Sequence, residues 1–175
     1  MNPEQILSSF KEALGEKVLG DRTVERKVGT VAPKSVYDLW LTVDRNDLHD
    51  AVAHLCAEYN PHLTVISGDD LGDDVAFNYH FSTGWGVRYG EATLTIRTVV
   101  PKNDFRLPTI CDLLPGAQTS EREKHEFFGL EVEGIPDDRN LFLPEDMTIH
   151  PWRKDLQAET DREVKRLVKW EERDE

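Results

Sequence analysis

The amino-acid sequence predicts an α+β fold: a mostly antiparallel sheet with helices on one face, followed by an extended, proline-punctuated C-terminal arm with short helices. Three observations carry that prediction. Between positions 23 and 100, several short runs alternate apolar and polar residues, the period of a half-buried strand. Two other segments repeat apolar residues every three or four positions, as an amphipathic helix does. From Pro101 onward, prolines 101, 108, 115, 136, 144 and 151 and glycines 116, 129 and 134 cut the chain into short pieces.

Ile6, Leu7, Phe10, Leu14 and Val18 place the first helix over residues 3 to 19, with Gly20 as its stop. Two β-rich runs follow, 23–31 and 35–43, joined as a hairpin through Ala32, Pro33 and Lys34. A second helix over 46–59 aligns Leu48, Val52, Leu55 and Tyr59 on one stripe, and Pro61 ends it. A strand over 63–67 precedes a turn through the glycine- and aspartate-rich stretch 68–74. Strands over 75–81 and 91–100 flank a loop containing Gly84, Trp85 and Gly86. Residues 1–100 thus form one α/β unit. Residues 101–155 are too interrupted to build a core alone and are expected to lie across that unit or a partner. Residues 156–175 form a charged tail, with Val164, Leu167, Val168 and Trp170 on a short amphipathic helix, within a single structural domain overall.

Composition narrows the function classes. Lys and Arg number 21 against 34 Asp and Glu, a formal net charge of −13. So acidic a chain repels phosphate backbones and anionic lipid, which disfavours nucleic-acid binding and leaves any membrane association peripheral, through a protein partner. No run approaches the roughly 20 apolar residues of a membrane-spanning helix, and the N-terminus lacks the layout of a secretory signal. Cys56 and Cys111 form no CxxC and no disulfide framework, in keeping with a reducing compartment and with buried small hydrophobes.

No catalytic or metal-binding set emerges. His49, His54, His62, His80, His125 and His150 include no HxxxH or HExxH pair. The acidic stretch 69–74 lacks the alternating ligands and closing Glu of a calcium loop and reads as a solvated turn. No nucleotide-binding glycine loop and no nucleophile elbow is present.

The informative stretch is 119–129, Thr-Ser-Glu-Arg-Glu-Lys-His-Glu-Phe-Phe-Gly. Ser120 and Glu123 have the spacing of a capping box, with Glu121 in the first turn. Arg122 and Glu126 are spaced as a surface ion pair, and Gly129 is the C-terminal stop. The helix so defined has two turns, so Phe127 and Phe128 must anchor it against something apolar. Read blandly, this is a well-capped surface helix.

Glu121, Arg122, Glu123, Glu126, Phe127, Phe128 and Gly129, then Gly134, Pro136, Asp137, Arg139, Leu141, Leu143, Pro144, Glu145 and Asp146, resemble the signature of the respiratory complex I 30 kDa subunit. That family comprises the C subunit of NADH:quinone oxidoreductase and its counterparts in membrane-bound hydrogenases. Upstream, Val100-Pro101, Leu107-Pro108-Thr109, Asp112-Leu113 and Pro115 are similar to it. So is the downstream run from His150 through Pro151, Trp152, Arg153 and Lys154 to Asp155. The resemblance covers about 91–155. Where respiratory members carry Gly-His-Pro-Asp, this chain has Ile135 in the second position, which looks more like the branch of energy-converting nickel–iron hydrogenases.

The resemblance implies a non-catalytic, peripheral subunit of an ion-translocating oxidoreductase, on the cytoplasmic face of the cell membrane. It implies no cofactor in this chain; the nickel–iron centre or quinone site and the iron–sulfur clusters are expected on partner subunits. The partners are the catalytic large subunit, of the 49 kDa or hydrogenase large-subunit type, and iron–sulfur subunits. The expected contact residues are Glu121, Arg122, Glu123, Phe127, Phe128, Pro136, Asp137, Arg139, Phe142, Trp152 and Arg153, with Ser120, Gly129 and Gly134 structural. The charges would fix register through charge-assisted hydrogen bonds and the aromatics would anchor. The alternatives are the same role in a quinone-reducing complex, a free-standing binding or assembly module, and a stand-alone enzyme using Glu121, Glu123 and His125 as acid–base groups.

Overall fold

The computed structural model describes residues 3–85, 91–144, 147 and 149–171. Gly86, Glu145 and Asp146 from the sequence motifs lie outside the described residues, as do the last four tail residues. Helix α1, Pro3–Leu14, buries Ile6, Leu7 and Phe10. It ends earlier than its apolar spacing predicts. Gly15 takes φ 57°, a left-handed conformation open to a residue without Cβ, and the chain turns into β1, Val18–Val28. Val18, Leu19 and Gly20 therefore belong to a strand.

Strand β2, Lys34–Val43, completes the predicted hairpin with β1. Helix α2, Leu48–Tyr59, buries Leu48, Ala51, Val52 and Leu55 and stops where Asn60 enters the left-handed region before Pro61. Then come β3, His62–Asp70; β4, Asp74–Thr83; and β5, Ala92–Pro101. Strand β3 runs on through Gly68, Asp69 and Asp70, which the sequence places in a turn. Gly68 sits under the Phe128 ring, where a Cβ would come within 2.4 Å of it. The glycine serves a close approach there, and the turn shrinks to Leu71–Asp73 around Gly72.

The five strands lie in the order β1-β2-β5-β4-β3. The pairs β1/β2, β3/β4 and β4/β5 are antiparallel, but β2 and β5 run parallel from Asp38/Thr93 to Thr42/Arg97, so the sheet is mixed. Helix α2 reverses the chain after β2, and the β3–β4–β5 meander then delivers β5 against β2 in the same direction. Residue alternation fixes which face a side chain occupies and says nothing about pairing direction.

One face of the sheet presents Leu39, Leu41, Phe77, Tyr79, Phe81, Leu94 and Ile96 to a single core that also takes in residues of α1 and α2, all seven at most 2% exposed. The extended arm does not begin at Pro101, as predicted. Strands β6, Arg106–Pro108, and β7, Glu131–Glu133, pair parallel around helix α3, Ala117–Phe128. Leu107, Ile110, Ala117, Phe128, Leu130 and Val132 join the same core. Irregular chain begins at Gly134 and leads to α4, Gln157–Glu171. Among the described residues no helix is long and apolar enough to cross a membrane.

Candidate functional site

Helix α3 organises the signature segment, and it differs from the sequence reading at its start. Gly116 is already α-helical, at φ −65° and ψ −13°, and the Ala117 N–H donates to the Leu114 carbonyl at 2.9 Å. The helix therefore nucleates three residues before the expected cap. Ser120 lies inside it, the Ser120–Glu123 capping box does not form, and the helix has 12 residues. The other end is as predicted: Gly129 takes φ 75° and its N–H bonds the His125 carbonyl at 2.9 Å. A Cβ on Gly129 would also lie 2.5 Å from the His150 ring, so glycine is required twice over. Gly134 likewise takes a left-handed φ of 81°.

The acids of α3 point inward. Glu121 is 1% exposed, and this corrects its assignment to a contact surface. Its Oε1 accepts the Ile110 N–H at 2.8 Å, and its Oε2 accepts the Thr109 hydroxyl at 2.6 Å and the Cys111 thiol at 3.0 Å. A buried carboxylate is tolerated only when so satisfied. Burial pushes the Cys111 thiol up to about 12, with Glu121 adding to the rise and the Thr109 hydrogen bond opposing it. The thiolate form is thereby disfavoured at Cys111.

Glu126, also buried, does not pair with Arg122 across a helical turn. It accepts the backbone N–H groups of Leu141, at 3.1 Å, Phe142, at 3.0 Å, and Leu143. Arg122 turns to the same segment: Nε donates to the Arg139 carbonyl at 2.8 Å and Nη2 to the Asn140 carbonyl at 3.0 Å. Its Nη1 lies 3.4 Å from the Asp137 carboxylate. Asp137 also receives the Arg139 guanidinium, which, with the Arg139 backbone N–H and the Arg122 charge, holds its carboxyl well below the usual carboxylate range. Helix α3 thus clamps residues 137–143 with one cation and one anion.

The aromatics form a ladder on the same helix. Phe128 enters the core, edge-on to Phe77 at 5.7 Å between ring centroids, and so is an internal anchor and no contact residue. Phe127 stacks on Trp152 at 4.4 Å and lies 6.2 Å from Phe142. The Trp152 backbone N–H donates to the Phe127 carbonyl at 3.0 Å, and His150 Nδ1 bonds the Glu126 carbonyl at 2.8 Å. Glu123 ion-pairs with Lys124, whose ammonium lies 4.8 Å from the Trp152 ring centroid. Burial pushes the Lys124 ammonium's pKa down, with Glu123 opposing. Arg153 pairs with Asp155 and rests over Phe105.

Among the expected contact residues, then, Glu121 and Phe128 are interior, while Arg122, Glu123, Asp137 and Arg153 have partners within the chain. Phe142, at 67% exposed, Trp152, at 42%, Pro136 and Arg139 remain on the surface, and Phe127 is half-buried. The acid–base set Glu121, Glu123 and His125 is not assembled. Glu121 is enclosed among Thr109, Ile110 and Cys111, Glu123 faces Lys124, and His125 Nδ1 bonds the Leu130 carbonyl at 2.8 Å. Among the described residues no three His, Cys, Asp or Glu side chains cluster as metal ligands.

Sequence reasoning missed the second fastening point. Asp70, at the end of β3, accepts Lys102 Nζ at 2.8 Å, the Lys154 N–H at 2.9 Å and the Gly72 N–H at 2.9 Å. Lys102 also reaches Asp155 at 2.6 Å. These contacts tie the returning chain to the sheet across a separation of more than 80 residues between Asp70 and Lys154. No short-range pattern encodes them. Glu126 was accessible in principle, as an acid next to two phenylalanines at the apolar end of the helix.

The family model described as "Respiratory-chain NADH dehydrogenase, 30 Kd subunit" matches residues 41–162. NADH-quinone oxidoreductase subunit 5 of Thermus thermophilus is 34% identical over 126 residues, covering 67% of this chain and 61% of its own length. The chain therefore spans about three-fifths of that relative. Membrane-bound hydrogenase subunit beta of Pyrococcus furiosus is 31% identical over 131 residues, covering 73% of this chain and 75% of that protein. Formate hydrogenlyase subunit 5 of Escherichia coli is 31% identical over 122 residues, which make up only 21% of its length. Among solved structures, a chain of the archaeal membrane-bound sulfane sulfur reductase shares the fold, with a TM-score of 0.69 over 93% of this chain and 91% of that one, at 21% identity. The trypsin-resistant fragment of Nqo5 superposes with a TM-score of 0.57 over 78% of this chain and 99% of the fragment, at 29% identity.

Proposed function

The chain belongs to the respiratory-chain NADH dehydrogenase 30 Kd subunit family, and from that premise we propose that it is a non-catalytic, peripheral subunit that packs on the catalytic large subunit of its oxidoreductase complex. Its role is geometric. It stiffens the large subunit around a redox site that the partner owns, with the iron–sulfur clusters on further subunits and the membrane reached only through them, on the cytoplasmic side. The observation that carries this reading is the division of labour around α3. The charged side chains of Glu126, Arg122 and Asp70 hold the backbone of 137–143 and 150–155 from within, and what they leave outside is an aromatic ledge, Phe142 and Trp152 braced by Phe127. Rigid, exposed aromatics are the residue types that dominate protein–protein hot spots. The same stretch being one-fifth of a longer chain in the E. coli formate hydrogenlyase subunit supports a domain that works packed against a larger one.

We assign the complex to the hydrogenase branch. Ile135 packs half-buried against the core in the slot where respiratory members carry histidine, and the match covers more of the Pyrococcus hydrogenase subunit than of the Thermus one. The higher identity to the Thermus subunit favours the second reading, the same role in a quinone-reducing complex.

Replacing Phe142 and Trp152 together by Ala tests the role. The expected result is loss of the large subunit on affinity purification from native membranes, with the purified variant still folded by circular dichroism. Intact co-purification would remove the ledge from the interface. Nickel in the co-purified large subunit separates the hydrogenase branch from the quinone branch.

A further inference from the structure

We propose that the sheet face opposite α1 and α2 carries a carboxylate-binding groove, formed by Arg22, Trp40, Thr42 and Arg97, that docks an acidic segment of a neighbouring subunit. The register fixes the placement. Trp40 on β2 lies opposite Arg22 on β1 and beside Thr95 on β5, and Thr42 lies beside Arg97. Leu39 and Leu41, which alternate with them, face the core. Between these side chains, Gly20 and Asp21 runs an open groove of about 420 Å³, and the Asp21 carboxylate is already ion-paired with Lys11 at 2.9 Å. Gly20 keeps its floor low, since nothing lies within 4 Å of where its Cβ would be.

Charge complementarity identifies the occupant. In this chain of net charge −13, Arg26, Arg45, Arg106, Arg122, Arg139 and Arg153 each reach a carboxylate. Arg22 and Arg97, which line the groove, form no ion pair among the described residues. The Arg22 guanidinium lies over the Trp40 ring at 5.0 Å, and Arg97 Nη1 donates to Asn78 Oδ1 at 3.3 Å, so each is oriented while its remaining donors stay available.

Trp40 is itself braced. The His80 ring meets it edge-on at 6.1 Å and is held by Ser67 and Thr95 at 2.9 and 3.0 Å. Two forked donors on either side of a fixed aromatic surface suit a carboxylate followed by an apolar contact. The groove lies at the β1 edge of the sheet, the far edge from β3 and α3, so this site stands apart from the Phe142–Trp152 ledge.

The test places a photo-cross-linking side chain at position 42 of the full chain in its native complex and sequences what it captures. The expected product is one peptide of another subunit containing Asp or Glu. Its yield should fall about tenfold or more in Arg22→Glu/Arg97→Glu and largely survive in Arg22→Lys/Arg97→Lys. Should the double Glu variant fail to fold, Arg22→Gln/Arg97→Gln replaces it with the same expectation. Capture of lipid, of this chain's own residues or of a peptide without carboxylates would overturn the site, as would no capture at all or a yield indifferent to the charge reversal.

Discussion

Phe77 and Glu121 are both almost free of solvent, yet they belong to regions held together in opposite ways. Around Phe77, the sheet and the Phe105 and Phe128 rings exclude water by apolar burial, and each residue there could be exchanged for another of similar volume at modest cost. Around Glu121 and Glu126, shape comes from carboxylates that accept backbone N–H groups of chain far away in sequence. The first kind of region tolerates adjustment. The second fixes one backbone path, because a buried carboxylate with a missing donor costs far more than a loosened methyl contact.

The contrast predicts different modes of failure. Phe77→Ala should lower global stability by about 3–5 kcal/mol, read as a shift of the urea midpoint with all probes coincident. Glu126→Ala should cost less, about 1–3 kcal/mol for the donors it strands, and the loss should be local. The amides of Leu141, Phe142 and Leu143 should exchange rapidly while those of β4 and β5 keep their protection. Global loss of protection in the Glu126 variant would erase the distinction between the two regions.

The same contrast explains what was legible in the sequence. Seven elements in the first hundred residues follow from periodicity, because apolar burial imprints a local pattern. The parallel pairing of β2 with β5 did not follow, nor did the end of α1 at Gly15. The signature helix was found from its motif, but its charges were assigned outward. Helical spacing places Arg122 and Glu126 on one face; it cannot reveal that chain from 137–143 occupies that face. Asp70 and its neighbours read as a solvated turn for the same reason, and nothing local pointed to Lys102. Their partner, the 153–155 stretch, is remote in sequence.

The mildest probe is pH, acting on the latch between Asp70, Lys102 and Asp155. Burial raises the Asp70 carboxyl, but hydrogen bonds from Lys102, the Lys154 N–H and the Gly72 N–H outweigh it and leave the carboxyl lowered. Asp155 is held well below the usual range by Arg153, against a smaller desolvation, with Lys102 adding to the effect. A carboxyl whose folded pKa lies below its unfolded value of about 3.9 contributes its full stabilisation above that value. The contribution disappears as pH falls through the folded pKa. Stability of the latch should therefore be flat from pH 7 to about 5 and decline below about 4. The Trp152 indole resonance should then shift before those of the core strands, since chain 150–156 detaches first. Asp155→Asn, at a half-exposed position, should move that onset only slightly, whereas Asp70→Asn, at a buried one, should move it further. Equal effects of the two substitutions would mean that exposure does not set the strength of the latch, and that the charged region is no more selective about its partners than the apolar one.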